Sequence, residues 1–180
     1  IQNLRVIVLF SRKLYKELTI VNSKGVTMSK PIALAMVSES RDMRVAPLSL
    51  LYIGGHLKKN DYDVQVFHLS EDQIEKGAQD IYKINPLFVG VSSITGNQTR
   101  HSALLSKELK RLNHETKIMW GGVHPSLVPL QCAKEDYIDY VAVGEGEETT
   151  LELAQALEGK RDIKTVKGII YQDEKRIIIS

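Results

Sequence analysis

From Pro31 onward the chain alternates between short, nearly continuous apolar runs and longer stretches with helical spacing. "IALAMV" (32–37), "DVQVFHL" (63–69), "LFVGVSS" (87–93), "KIMW" (117–120) and "YVAV" (140–143) are short and β-rich. Three of them are apolar at nearly every position, as strands covered on both faces must be. Between them apolar residues recur at helical spacing. Leu48, Leu51, Tyr52 and Gly55 form one set, and Ile74, Ala78 and Ile81 a second. Leu105, Leu109 and Leu112 form a third, and Leu151, Ala154 and Leu157 a fourth. Gly159 stands where it can end the last helix. Pro129 keeps the helix after "WGGVHPSLVP" short. Gly54 and Gly55, inside the first helix, read as close packing of that helix on the sheet.

Five strands alternating with helices require right-handed crossovers and a parallel sheet. The expected fold class is α/β: a Rossmann-like (flavodoxin-like) five-stranded parallel sheet with helices on both faces and strand order 2-1-3-4-5. After Gly159 the pattern changes. "GIIYQDEKRIII" (168–179) is two short runs around a polar turn, a C-terminal β-hairpin that is an appendage or the lead into another domain. The expected organisation is an N-terminal extension over 1–31, the α/β domain over 32–160 and the hairpin over 161–180. "MSKPIALAMV" at Met28 reads as a natural start, so residues 1–27 are either upstream translation or a true extension. "KRIIIS" stops straight after an apolar run, as a cut chain does.

The length of 180 residues and 43% hydrophobic content suit one domain able to bury roughly 70% of its unfolded surface. No apolar run reaches the ~18 residues of a membrane span, so no membrane role is expected. The single cysteine, Cys132, excludes internal disulfides and a cysteine-ligated cluster within this chain. A reducing, cytoplasmic setting is the default. The formal charge of +2 hides an asymmetry. Residues 1–31 carry Arg5, Arg12, Lys13, Lys16, Lys24 and Lys30 against Glu17, which leaves 18 basic and 21 acidic residues beyond. The body is mildly acidic and carries no electrostatic footprint for nucleic acid.

In open α/β sheets ligands bind outside the carboxyl ends of the strands. The first strand is followed by "SESRDMRVAP" and a helix opened by Pro47 and Leu48. The third is followed by "SSITGNQT", the fourth by "GGVHPS" and the fifth by "GEGEET". One glycine alone reads as a tight turn. Gly96, Gly121, Gly122, Gly144 and Gly146 together, at one edge of one sheet, read as room for a ligand. Ser92, Ser93 and Thr95 supply hydroxyls that donate and accept, while Thr95 or Asn97 also suits a helix N-cap. Glu145, Glu147 and Glu148 fit either a metal or the positive end of a helix.

Several chemistries are excluded. The first strand lacks the G-x-G-x-x-G of a dinucleotide fold, and no G-x-x-x-x-G-K-[ST] is present. Serines stand where a phosphoacceptor receiver carries its aspartate. Cys132 has no evident partner and reads as packing. The residues describe a binding site with no catalytic machinery of its own.

"APLSLLYIGGHLKKNDYDVQVFHL", "VGVSSITGNQT", "IMWGGVHPSLVP" and "YIDYVAVGEGEETTLEL" resemble the N-terminal cobalamin-binding domain of cobalamin-dependent radical S-adenosylmethionine enzymes. The resemblance runs from about residue 32 to 180. It implies that the nucleotide tail of cobalamin enters the sheet edge while the corrin lies over the strand-end loops. Gly121 and Gly122 would let backbone approach the corrin, and His124 and Ser126 would hydrogen-bond its rim or tail. Ser92, Ser93, Thr95 and Gly96 would line the tail channel, Gly144, Glu145 and Gly146 would close it, and Pro47, Leu48 and Asn97 complete the set.

Two departures stand out. The Asp-x-His-x-x-Gly of mutases and methionine synthases, whose histidine binds cobalt, is absent around His56, His68, His101, His114 and His124. His124 is therefore open to three roles: cobalt ligand, polar neighbour of the ligand, or structural residue. The C-x-x-x-C-x-x-C of the radical half is absent too. S-adenosylmethionine and a four-iron four-sulfur cluster are expected only in a C-terminal radical SAM domain of the same full-length protein, which would methylate a substrate or form a C–C bond or ring. The competing readings are a nucleotide or sugar-nucleotide domain and a receiver-like interaction domain.

Overall fold

The computed structural model describes residues 30–39, 46–173 and 176–180, together with the backbone of residues 5–8. In chain order the elements are β1 (Arg5–Val8), β2 (Ile32–Ser38), α1 (Leu48–Lys59), β3 (Val64–Ser70), α2 (Ile74–Lys83), β4 (Val89–Ser92) and α3 (Asn97–Leu112). They continue with β5 (Ile118–Gly121), α4 (Val123–Leu127), α5 (Pro129–Cys132), β6 (Tyr140–Ala142), α6 (Gly146–Leu157), β7 (Ile169–Asp173) and β8 (Arg176–Ile179).

The five expected strands are β2 to β6. They lie parallel in the order β3-β2-β4-β5-β6, the expected 2-1-3-4-5. The expected strand count is corrected: among the described residues the sheet has eight strands, not five. The hairpin is no appendage, because β7 pairs antiparallel with β6 (Tyr140↔Tyr171, Ala142↔Ile169) and β8 pairs with β7. Without it, the three-residue β6 would present an open edge of unpaired N–H and C=O groups. Ile169, Ile170 and Tyr171 are buried there. At the other edge β1, within the stretch read as an extension, pairs in parallel with β3 from Arg5↔Gln65 to Val8↔His68. Residues 1–4, 9–29, 40–45 and 174–175 lie outside the described residues.

Strand alternation splits the core into two layers. Ala33, Ala35 and Val37 of β2 pack with Phe67, Leu69, Val89, Val91 and Trp120 under Ala78 and Ile81 of α2 and Leu105 and Leu109 of α3. Ile32 and Leu34 face the opposite way, with Val64, Val66 and Met119, under Leu50 and Leu57 of α1 and Leu153 and Ala154 of α6. Trp120 is anchored by Nε1, which donates to Ser106 Oγ at 2.9 Å. Cys132 is buried in the first layer, and burial pushes its thiol pKa up, so it serves as packing. Gly159 closes α6: Lys160 N–H bonds Gln155 O at 2.8 Å and Gly159 N–H bonds Ala156 O at 3.0 Å. Among the described residues no helix is long and apolar enough to cross a membrane.

The buried stripe of α1 is also corrected. Leu50, Gly54 and Leu57 face the core, whereas Leu48 and Tyr52 are 60% and 70% exposed. Both stripes have helical spacing, so periodicity alone does not choose between them. Nothing stands within 4 Å of where a Cβ on Gly55 would be, so sheet packing does not account for that glycine.

Candidate functional site

The parallel register brings the exits of β2, β4, β5 and β6 to one edge of the sheet. A cleft of about 510 Å³ opens there, between α1 and α6. Its floor is a row across three strands, Leu34 beside Gly90 beside Met119. Gly90 is the notch in that row: a Cβ would stand 2.9 Å from Leu34 Cδ2 and 3.8 Å from Met119 Cε. One wall is Leu50, Tyr52 and Ile53 of α1, and the other is Gly146, Glu147 and Thr150 of α6. Val123 and Leu127, exposed at 55% and 70%, stand at the rim with Tyr52. The only charged residues among those described around the cleft are Glu145 and Glu147; no lysine or arginine contributes.

The strand exits are tied together by hydrogen bonds. Ser93 N–H donates to Gly121 O at 2.9 Å, and His124 N–H donates to Ser93 O at 3.1 Å. Gly122 sits inside this crossing with φ +100°, and a Cβ there would lie 2.9 Å from Ser93 O. Protein backbone therefore requires Gly122 whether or not a ligand is present. Gly121 differs, because its Cβ would make ordinary contact, 3.7 Å from Ala142 Cβ, and the rest of a side chain would extend into the cleft it lines. Gly146 brings α6 against α1, where a Cβ would meet Ile53 Cδ1 at 2.9 Å.

Seven of the fourteen residues singled out in the sequence line the cleft: Ser92, Gly121, Gly122, Ser126, Gly144, Glu145 and Gly146. The others stand nearby on the same edge. Ser93 is fully buried beneath the crossing. Thr95 Oγ1 lies 3.3 Å from His124 Nδ1. Asn97 Nδ2 donates to Glu39 Oε1 at 2.7 Å, joining the β4 exit to the β2 exit. The α3 N-cap is Gly96, not Thr95 or Asn97, and no side chain caps it. Gln98 Oε1 instead accepts Ile94 N–H at 2.8 Å. Pro47 is buried and Leu48 exposed at the start of α1. Glu147 and Glu148 fall in the first turn of α6, where the helix dipole favours them, and Glu148 Oε1 is 3.2 Å from His56 Nε2. Among the described residues no group of three acidic, histidine or cysteine side chains is placed to hold a metal.

Sequence reasoning missed Tyr52, Ile53, Gly90, Met119 and Thr150. Gly90 inside an apolar strand was the available signal, since a glycine there marks close approach or missing volume. On β3, His68 is 1% exposed and its Nε2 lies 3.0 Å from Oγ of Ser38, the last residue of β2. Burial lowers its pKa below the usual histidine value.

The family model described as a B12 binding domain matches residues 35–154. Cytidylyl-2-hydroxyethylphosphonate methyltransferase of Streptomyces wedmorensis is 30% identical over 149 residues, covering 71% of this chain and 27% of the relative. Anaerobic magnesium-protoporphyrin IX monomethyl ester cyclase of Rubrivivax gelatinosus is 31% identical over 135 residues, covering 69% and 24%. The solved structure of the radical S-adenosylmethionine methyltransferase TsrM from Kitasatospora setae, with cobalamin and a 4Fe-4S cluster bound, shares the fold. Its TM-score is 0.74 at 22% identity, over 84% of this chain and 29% of that one. The chain spans less than a third of the length of each of these relatives.

Proposed function

Because the chain belongs to the B12 binding domain family, we propose that its cleft takes the nucleotide tail of cobalamin while the corrin lies across the loops at the mouth. The carrying observation is the cleft itself: apolar, notched by Gly90 and Gly121, and placed at the carboxyl ends of the strands. The residues fit the group. The apolar base at the end of the tail suits a slot floored by Leu34 and Met119, and the broad corrin suits the exposed Tyr52, Val123 and Leu127 at the rim. Ser92 and Thr150 offer hydroxyls to the tail. Thr95, His124 and Asn97 stand beside the mouth to meet the corrin amides, with Gly96 and Ser93 shaping the loop that carries them. Pro47 and Leu48 set the start of α1. A nucleotide or sugar-nucleotide is disfavoured, because such polyanions need cations or a glycine-rich turn. Among the described residues the cleft presents only Glu145 and Glu147 as charges.

When bound, cobalamin supplies a cobalt centre able to carry a methyl group or an electron. The chain's own residues bind and orient it and exclude water from its tail. The full-length protein would join this domain to a radical SAM domain holding S-adenosylmethionine and a 4Fe-4S cluster, acting as a methyltransferase or a ring- or C–C bond-forming enzyme in a reducing, cytoplasmic setting. The named activities of the relatives support that reading. The test is a visible-absorption titration of the chain with cobalamin. Saturable binding with the spectrum of the base-detached form is expected, and Gly121→Leu should abolish it. Binding of a nucleoside diphosphate sugar at micromolar protein, with none of cobalamin, would overturn the proposal.

A further inference from the structure

Thr150 is fully buried, lines the cleft, and its Oγ1 has no hydrogen-bond partner in the protein. A buried hydroxyl left unpaired is costly. Thr149, the preceding residue, satisfies its own hydroxyl by donating to Lys167 O at 2.9 Å. One ordinary remedy is close at hand and unused. A helical threonine commonly bonds the carbonyl one turn back, here that of Gly146, and Thr150 makes no such bond. Leu50, Ile53, Met119 and Ala142 share the cleft with it, with Ser92 adding a second hydroxyl and Glu145 and Glu147 the charges. The occupant at this depth must therefore be largely apolar, thin enough for a slot between two helices, and polar at one point. A heteroaromatic ring meets all three conditions.

We propose that Thr150 is a ligand-binding residue that reads the base at the end of the corrinoid tail. This rests on the cobalamin reading above. The corrin is too broad for the slot, and the ribose and phosphate are too polar for its leucine, isoleucine and methionine walls. The base is the part that remains. The Thr150 hydroxyl donates to the unprotonated ring nitrogen of the base, and that nitrogen is free to accept only when it is detached from cobalt. The cleft thus favours corrinoids whose base carries such a nitrogen and gives no hydrogen bond to corrinoids that end in a phenol.

The experiment titrates the wild-type chain, Thr150→Val and Thr150→Ser with cobalamin and with a corrinoid whose base is p-cresol, and records thermal unfolding of each ligand-free protein. Thr150→Val is expected to weaken cobalamin binding about 3- to 10-fold, the loss of one neutral hydrogen bond, and to leave the cresol corrinoid within about twofold. Thr150→Ser should bind both as wild type does. Because Val removes an unpaired hydroxyl, the ligand-free Val variant should unfold at the same or a higher temperature. Equal weakening of both corrinoids, weakening of neither, or a Val variant that is destabilised or fails to fold would each overturn the assignment. The last result would mean that the hydroxyl serves the protein. A wild-type chain that binds neither corrinoid would refute the cofactor reading itself, a different result from binding without discrimination.

Discussion

Ser126 Oγ accepts the Gly144 N–H at 3.1 Å while donating to Gly122 O at 2.8 Å. One hydroxyl thereby joins the exits of β5 and β6, the two loops that flank the cleft mouth on the α6 side. Neither loop has a regular ladder bond to the other beyond Trp120↔Val141, so the serine replaces the pairing that the strands give up as they diverge. Ser126→Ala should lower the stability of the ligand-free chain by about 1 kcal/mol and weaken cobalamin binding by loosening the mouth. Urea unfolding and a binding titration read the two effects. Unchanged affinity would show that the mouth does not depend on this link.

Gly121 and Gly122 are neighbours with different reasons to be glycine, and substitution separates them. Gly122→Ala places a Cβ 2.9 Å from Ser93 O at a φ of +100°, so it should cost about 1–3 kcal/mol of fold stability with no ligand present. Gly121→Leu meets ordinary contact at Cβ and should leave ligand-free stability within about 1 kcal/mol while filling the cleft and abolishing binding. Denaturation of the ligand-free proteins beside the titration decides the matter. A Gly122→Ala variant as stable as wild type would contradict the crossing described at Ser93.

The parts of the molecule that were legible in the sequence are those governed by local rules. Apolar runs gave the five parallel strands and their order, Gly159 gave the end of α6, and clustered glycines pointed to the edge that holds the cleft. The parts that were not legible depend on which partner an element meets. α1 carries two stripes of helical spacing, and only the sheet selects Leu50, Gly54 and Leu57, leaving Tyr52 for the rim. The hairpin joins the sheet because β6 needs an edge partner, a demand invisible from "GIIYQDEKRIII" itself. Thr150 looks like any residue in the first turns of a helix until the cleft shows that its hydroxyl has nothing to bond.

His124 is expected to stay off the cobalt. Its Nδ1 is 3.3 Å from Thr95 Oγ1, and it is not among the residues lining the cleft. The electron paramagnetic resonance spectrum of the bound Co(II) form should therefore lack protein nitrogen hyperfine splitting, and His124→Ala should leave it unchanged. Its affinity should fall by no more than the ~0.5–1.5 kcal/mol of one neutral hydrogen bond. Splitting that vanishes in His124→Ala would make it a ligand.

His68 should make the fold acid-sensitive. It is almost wholly buried on β3 against Ser38, and desolvation holds its pKa below the ordinary 6.5. In the unfolded chain the imidazole takes up a proton as pH falls through about 6.5, while the folded protein resists protonation until a lower pH. Between those two values the unfolded state binds more protons, so stability rises with pH there and is lost as pH falls. The contribution is fully present above about pH 6.5 and disappears through the interval down to the depressed folded value. Urea unfolding midpoints at a series of pH values from neutral downward should therefore slope in wild type. His68→Asn, which keeps a polar group near Ser38 but does not titrate, should start less stable at neutral pH and slope less over the same interval. Parallel curves for the two proteins would mean that the acid sensitivity arises elsewhere.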